Sequence, residues 1–347
     1  MENKNIRFLT FFGVTAAFVV ALCACVDNYQ ETIASARADL ANGNAGAAAV
    51  RLRGLLQREP GYREARVLLG QILLDSGNAA GAEKELRKAL EIGADQEIVK
   101  PLLARALVDS GDGKRVLSEF VASQLRLPEA QADILVSQAH AHLLEGEVEN
   151  ARRLVRQVAV LGPPGARLAI VQAMLSAAEK KHDVALSTID QVLAEQPNSI
   201  EALRAKANIA LGGGNLAQAI AALQALTMAM PSDVGAQYAA SVLLWQAGRI
   251  PDARIQLERL RGVAPTHPRT AHLDALFALH ARDLRAAHEH VARALKADAG
   301  ARRQERWLMA SAAAGAAAFL LRPDGALVVL AVGIHWLAGG RPRRALG

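Results

Sequence analysis

The sequence predicts an all-α protein, a superhelical solenoid of about eight helix-turn-helix hairpins. Three observations predict it. A small residue recurs on a near-constant clock, at Ala48, Ala82, Val116, Ala151, Ala185, Ala219, Ala253 and Ala287, with gaps of 34 residues and one of 35. A constant period in this range is the mark of stacked supersecondary units. The 347-residue chain is 52% hydrophobic but only 4% aromatic, so its apolar content is mostly alanine and leucine, which favour helix. Glycines and prolines fall at fixed places in the period, where helices should stop.

Each hairpin follows from its residues. In LLGQILLDSG (68–77), Leu69, Gly70 and Leu73 share one face of a first helix, here helix A. Gly77 can take the left-handed conformation that ends it. Glycine recurs five residues before the small slot at Gly43, Gly77, Gly111, Gly214 and Gly248, and at Gly146 in the longer repeat; Lys180 and Arg282 replace it in two repeats. Ala82 is small where the second helix, helix B, must approach helix A. Leu86, Ala89 and Leu90 form the apolar face of helix B. Four residues after the small slot stand Leu52, Leu86, Phe120, Val155, Ile189, Leu223, Leu257 and Val291. Pro60, Pro163, Pro197, Pro231 and Pro265 then stop helix B, because proline lacks an amide donor. One hairpin cannot bury both faces, so neighbours stack. The packing positions are thus Gly70, Ala82, Leu86, Ala151, Ala185, Ala219, Ala253 and Ala287.

These residues resemble the tetratricopeptide repeat, from Tyr29 to Gly300, although most of that repeat's aromatic positions are leucine here. The resemblance implies a concave surface lined by A helices that binds protein or peptide partners. Counting from the small slots places Arg37, Gln71, Arg105, His140, Met174, Asn208, Val242 and Leu276 in one row. Ile33, Val67, Pro101, Val136, Ile170, Arg204, Tyr238 and His272 form the next, with Trp245 two turns along from Tyr238. Gln71, Arg105, His140, Arg204, Asn208, Tyr238, Trp245, Arg269 and His272 are the candidate partner contacts, since polar and aromatic side chains in a groove suit recognition. Packing against the next helix is the alternative for each. Some chaperone-binding members clamp a C-terminal carboxylate. Arg204, Asn208 and Arg269 match three of those slots, and Ala239 and Leu273 replace the other two.

Ahead of the array, Lys4 and Arg7 precede the apolar run FLTFFGVTAAFVVAL (8–22), which reads as a secretory signal over 1–24 and is short for the about 20 residues of a membrane span. The two cysteines of LCACVD, Cys23 and Cys25, are poor disulfide partners, since residues two apart point in different directions on a helix and stand too far apart on a strand. No ligand set for zinc surrounds them. Leu22-Cys23-Ala24-Cys25 resembles a bacterial lipobox, which implies that Cys25 carries the lipid and starts the mature chain; an ordinary cleaved signal is the alternative. Acyl chains contribute about 0.8 kcal/mol per buried methylene, enough for stable anchoring. Val26 in place of aspartate implies the outer membrane, facing the periplasm. The period runs to the end of a 25–300 array and then breaks. Residues 301–347 hold two apolar runs joined by RPDG and flanked by arginines: a membrane-associated hairpin, a cap for the last repeat, or a truncated or frame-altered end.

The formal charge of +6 is misleading. The tail contributes +5 from seven arginines against Glu305 and Asp324, and the signal +1, so residues 26–300 are neutral. A neutral body has no electrostatic footprint for nucleic acid. His140/His142 and His288/His290 are two apart and diverge on a helix, which suits surface histidines better than metal ligands. GGG at 212–214 lacks the Lys-Ser/Thr ending of a phosphate loop and reads as a helix-ending turn. Glu83 and Arg87 suit a solvated helix face. No catalytic residue, metal or cofactor is expected, and the array leaves no room for an enzyme domain.

The lipobox, the segment AGAEKELRKALEIGADQEIVKPLLARALVDSGDGKRVLSEF (80–120) and the unbroken Leu/Ala-rich repeats resemble the PrsT family, TPR lipoproteins of the PEP-CTERM/exosortase system. The resemblance implies a scaffold or adaptor for exopolysaccharide export or surface sorting, although that family's arrays are much longer. An outer-membrane lipoprotein that assembles a pilus or secretion apparatus is the alternative.

Overall fold

The computed structural model describes residues 29–120, 125–161 and 165–297. The signal, Cys25, Pro163, Gly300 and the 301–347 tail lie outside the described residues. Within them all regular structure is α-helical, in sixteen helices that pair into eight hairpins. The chain divides into two compact units, with the boundary at Gly162/Pro163, where the sequence predicted one array.

The first unit holds α1 (29–41), α2 (Ala45–Arg58), α3 (Arg63–Asp75), α4 (Ala79–Glu91), α5 (Gln96–Asp109), α6 (Gly113–Glu119), α7 (Pro128–Leu144) and α8 (Val148–Leu161). The second holds α9 (Ala166–Ala178), α10 (His182–Glu195), α11 (Ile200–Gly212), α12 (Leu216–Ala229), α13 (Val234–Gln246), α14 (Ile250–Val263), α15 (Pro268–His280) and α16 (Leu284–Ala297). Odd-numbered helices are A helices and even-numbered ones are B helices.

Two devices end the helices. Helix A closes on a left-handed residue: at Gly77 (φ 74°) the chain turns so that its amide reaches Leu74 O (2.9 Å) and the Asn78 amide reaches Leu73 O (2.7 Å). Asn78 then caps α4 by accepting from the Gly81 amide. Lys180 (φ 64°) and Arg282 (φ 60°) take the same conformation without glycine's freedom. Helix B closes ahead of proline in α2, α10, α12 and α14, whereas α4 closes on left-handed Gly93 (φ 79°). Glu59, Gln196, Met230 and Ala264 all leave the helix with φ between −130° and −144°, because the following proline ring crowds a helical predecessor.

The small slots pack as predicted. Ala82, Ala151, Ala185, Ala219 and Ala253 are fully buried, and Ala287 nearly so. The positions four residues later are buried from Leu52 through Leu257, whereas Val291 in the last hairpin is half-buried. Each unit has a continuous apolar core, one built from Ile33 to Ala141 and the other from Ile170 to Phe277. Pro101 is buried within α5, which continues through it to Asp109.

The third hairpin departs from the regular pattern. Its B helix, α6, has seven residues where the other B helices have thirteen or fourteen. Side chains from neighbouring helices take over the backbone groups that a longer helix would satisfy. Gln138 donates to the Phe120 carbonyl (3.1 Å), Gln131 accepts from the Leu125 amide (3.0 Å), and Glu97 accepts from the amides of Arg126 (2.9 Å) and Leu127 (3.1 Å). Pro128 then opens α7.

Candidate interaction surface on the A helices

In the first unit the A-helix rows are polar but largely self-paired. Arg37 of α1 donates to Glu64 of α3 (2.8 Å). Arg105 of α5 lies between Asp75 (3.1 Å) and Asp109 (3.5 Å). Gln71 is exposed. His140 is a correction: it is only 9% exposed and belongs to the packing of α7, not to a presented surface. Ile33, Pro101, Val136 and Ile170, in the second predicted row, are likewise buried. Val67, in the same row, is half-buried.

In the second unit Arg204 of α11 donates to Asp233 at the start of α13 (2.9 Å), and its side chain remains 39% exposed. Asn208, one turn on, is exposed. Tyr238 of α13 and His272 of α15, 34 residues apart, share a hydrogen bond between hydroxyl and Nδ1 (2.9 Å), with ring centroids 5.7 Å apart. Arg269 lies over the Tyr238 ring (5.8 Å). Trp245, one helical stretch further along α13, meets Phe277 (4.8 Å) and His280 (5.1 Å) edge to face. Met174, Val242 and Leu276 are half-buried and form the apolar part of the same face. The sequence-predicted residues Arg204, Asn208, Tyr238, Trp245, Arg269 and His272 thus share the A-helix face of one unit. Gln71, Arg105 and His140 belong to the other.

Burial sets the protonation of the central pair. It raises the Tyr238 hydroxyl to about 12, against the opposing pull of the Arg269 charge. It lowers His272 to about 4. Both groups are therefore neutral at pH 7, and the pair is a hydrogen bond between uncharged rings.

Of the predicted carboxylate clamp, Arg204 is engaged by Asp233, and Arg269 stacks on Tyr238. Ala239 and Leu273, at the two departed slots, are core residues, 5% and 1% exposed. Asp233 is a residue of this face that the sequence did not reveal. Its position before α13 marks a helix cap, but the bond to an arginine 29 residues away needs the stacked hairpins. Two other polar features follow the same logic. Arg66 is 8% exposed, donates to the Pro60 carbonyl (2.9 and 2.6 Å) and pairs with Glu85 (2.5 Å). Gln237, in the equivalent slot, donates to the Pro231 carbonyl. A polar residue six after a helix-ending proline is the readable signal.

Glu83 and Arg87 are half of a larger network. Arg87 and Arg115 each bond both Glu83 and Glu119, at 2.7–3.0 Å, joining α4 to α6. Burial works to raise both carboxyls, but the two guanidinium groups hold them below the usual range. Gly212–Gly214 is a helix-ending turn, with Gly214 at φ 75°. Among the described residues no group of three or more His, Cys, Asp or Glu is placed to hold a metal ion, and no helix is long and apolar enough to cross a membrane.

Family models described as tetratricopeptide repeat match residues 39–106, and 172–229 with 204–268. No curated protein sequence matches the chain. Among solved structures, the human IFIT1 dimer with PPP-AAAA aligns over 87% of this chain and 82% of its own, at 13% identity and a TM-score of 0.53. A tetratricopeptide repeat protein from Parabacteroides merdae aligns over 82% and 98%, at 16% identity and a TM-score of 0.39. Pseudomonas aeruginosa pilF aligns over 72% and 97%, at 17% identity and a TM-score of 0.40. At 13% identity the likeness to the IFIT1 structure is one of fold alone. The 34-residue hairpins, their small-residue contacts and the matched segments show the fold of this chain to be a tetratricopeptide-repeat solenoid.

Proposed function

We propose that the chain is a non-catalytic scaffold that binds protein partners on the A-helix face of its second unit. It acts at the cell envelope as a lipid-anchored, periplasm-facing protein of the outer membrane, in exopolysaccharide export or PEP-CTERM/exosortase surface sorting. The observation that carries the binding reading is the convergence of Arg204, Asn208, Tyr238, Trp245, Arg269 and His272 on α11, α13 and α15. Aromatic and arginine side chains beside an apolar strip have the composition of a recognition surface. The tetratricopeptide fold is a scaffold for protein–protein interaction and supports the same reading. The anchor and the export or sorting role rest on sequence alone, on the LCAC motif at Cys25 and the 80–120 segment.

The test is affinity capture from membranes with the full chain, a variant ending at Gly300, and the full chain carrying Tyr238→Ala with Trp245→Ala. The truncated form should retain its partners, and the double variant should lose them. Partners retained by the double variant would contradict the assignment of the surface. Replacement of Cys25 by Ser should release the protein from the membrane fraction, and retention would contradict the anchor.

A further inference from the structure

One carboxylate serves two purposes at the centre of this face. Asp233 Oδ1 accepts from the Ala236 amide (2.9 Å) and caps α13, while Oδ2 takes the Arg204 guanidinium (2.9 Å) from α11. Arg269 approaches from the other side, on α15. Gly235 lies between them without a side chain: a methyl group there would be 3.1 Å from both Arg269 Nη1 and Asp233 Oδ1. Two guanidinium groups from flanking A helices therefore border the place where the chain supplies its own anion. The Asp233 side chain is only 16% exposed, so it is seated in the surface and not swung into solvent.

We infer that Asp233 is a resident counter-ion that determines specificity, pairing with the Arg204 charge through Nη2 so that this face does not select partners by a carboxylate. The inference rests on the reading that this face receives a partner, and it assigns that partner's chemistry. The partner segment is recognised through its apolar and neutral hydrogen-bonding groups, against Val242, Leu276 and Asn208. A guanidinium whose charge is already neutralised by a carboxylate has little to gain from a second one, whereas an unpaired guanidinium bonds a carboxylate strongly.

The experiment is Asp233→Asn in the full chain. Asparagine caps a helix as well as aspartate does, so α13 keeps its start while the charge is removed. The probe is a fluorescein-labelled GSALV peptide, with its free C-terminal carboxylate or as the C-terminal amide, followed by fluorescence anisotropy. The parent protein should bind the two forms equally, or bind neither. Asp233→Asn should prefer the free acid by about ten-fold or more, the gain of a charge-assisted pair. Adding Arg204→Gln to Asp233→Asn should abolish that preference. A parent protein that already prefers the free acid by ten-fold overturns the inference. So does an Asp233→Asn variant, folded by circular dichroism and unchanged in melting cooperativity, that shows no preference. Because these outcomes compare acid with amide, they are independent of whether the envelope partner is captured.

Discussion

Gly70 of α3 lies so close to Leu86 of α4 that a methyl group on Gly70 would fall 2.7 Å from Leu86 Cγ. In this hairpin a residue without a side chain on helix A receives a fully buried leucine from helix B, where the other hairpins carry alanine or serine at the glycine's position. Gly70→Ala gains helix propensity of about 1 kcal/mol but overpacks the contact at a cost of about 1–3 kcal/mol. The expected result is a net loss of stability in chemical denaturation. Leu86→Ala should cost more, about 2–5 kcal/mol, by leaving a cavity. A stabilised Gly70→Ala protein would contradict the packing.

Lys180 ends α9 at φ 64°, where six other A helices use glycine. A left-handed conformation costs a side chain about 1–2 kcal/mol, partly offset by the extra freedom glycine gives the unfolded chain. Lys180→Gly should therefore stabilise the protein by up to about 1 kcal/mol, read as a raised denaturation midpoint. Lys180→Val should destabilise it.

Arg66 ties the end of one hairpin to the next through Pro60 and Glu85. Arg66→Met keeps much of the stem's packing but leaves a carboxylate and a carbonyl without their donor. The side chains of the pair are 10% and 17% exposed, so the expected cost is about 2–4 kcal/mol. Pairing Arg66→Met with Glu85→Leu should recover part of it, which a double-mutant cycle measures.

His272 gives stability a defined pH dependence. Burial lowers its folded pKa from 6.5 to about 4, so between those values the unfolded chain binds a proton that the folded chain does not. This contribution is complete above pH 6.5 and is lost as pH falls towards 4. The neighbouring Tyr238 stays neutral and Arg269 stays charged throughout that window, so neither cancels it. The melting temperature should fall on acidification from pH 6.5 to 4, and His272→Leu should fall less over the same range.

The fold was legible in the sequence because its determinants are local and repeated. A small residue such as Ala82, a left-handed glycine such as Gly77 and a proline such as Pro231 each act within a few residues, and eight copies average out the exceptions. The shortened α6 was not legible, because it depends on Gln138, Gln131 and Glu97 arriving from other helices. The division at Gly162/Pro163 was equally hidden within a continuous period. For the surface, slot counting placed Tyr238 and His272 on neighbouring helices, and the structure joins them by a hydrogen bond. The same counting put His140 in a groove, whereas it is buried in the packing of α7. Slot position fixes which face of a helix a residue occupies, but the size of its neighbours decides whether it is covered. Asp233 could not be read as the partner of Arg204, because that ion pair exists only once two hairpins are stacked.

The central claim is that the second unit receives its partner on the A helices. The most direct measurement is in-cell photo-crosslinking from a benzoylphenylalanine placed at Asn208, exposed on α11, or at Met228, 71% exposed on the B helix α12. A discrete crosslinked partner is expected from position 208 and none from 228. Crosslinking from 228 alone would place recognition on the opposite helices and contradict the claim.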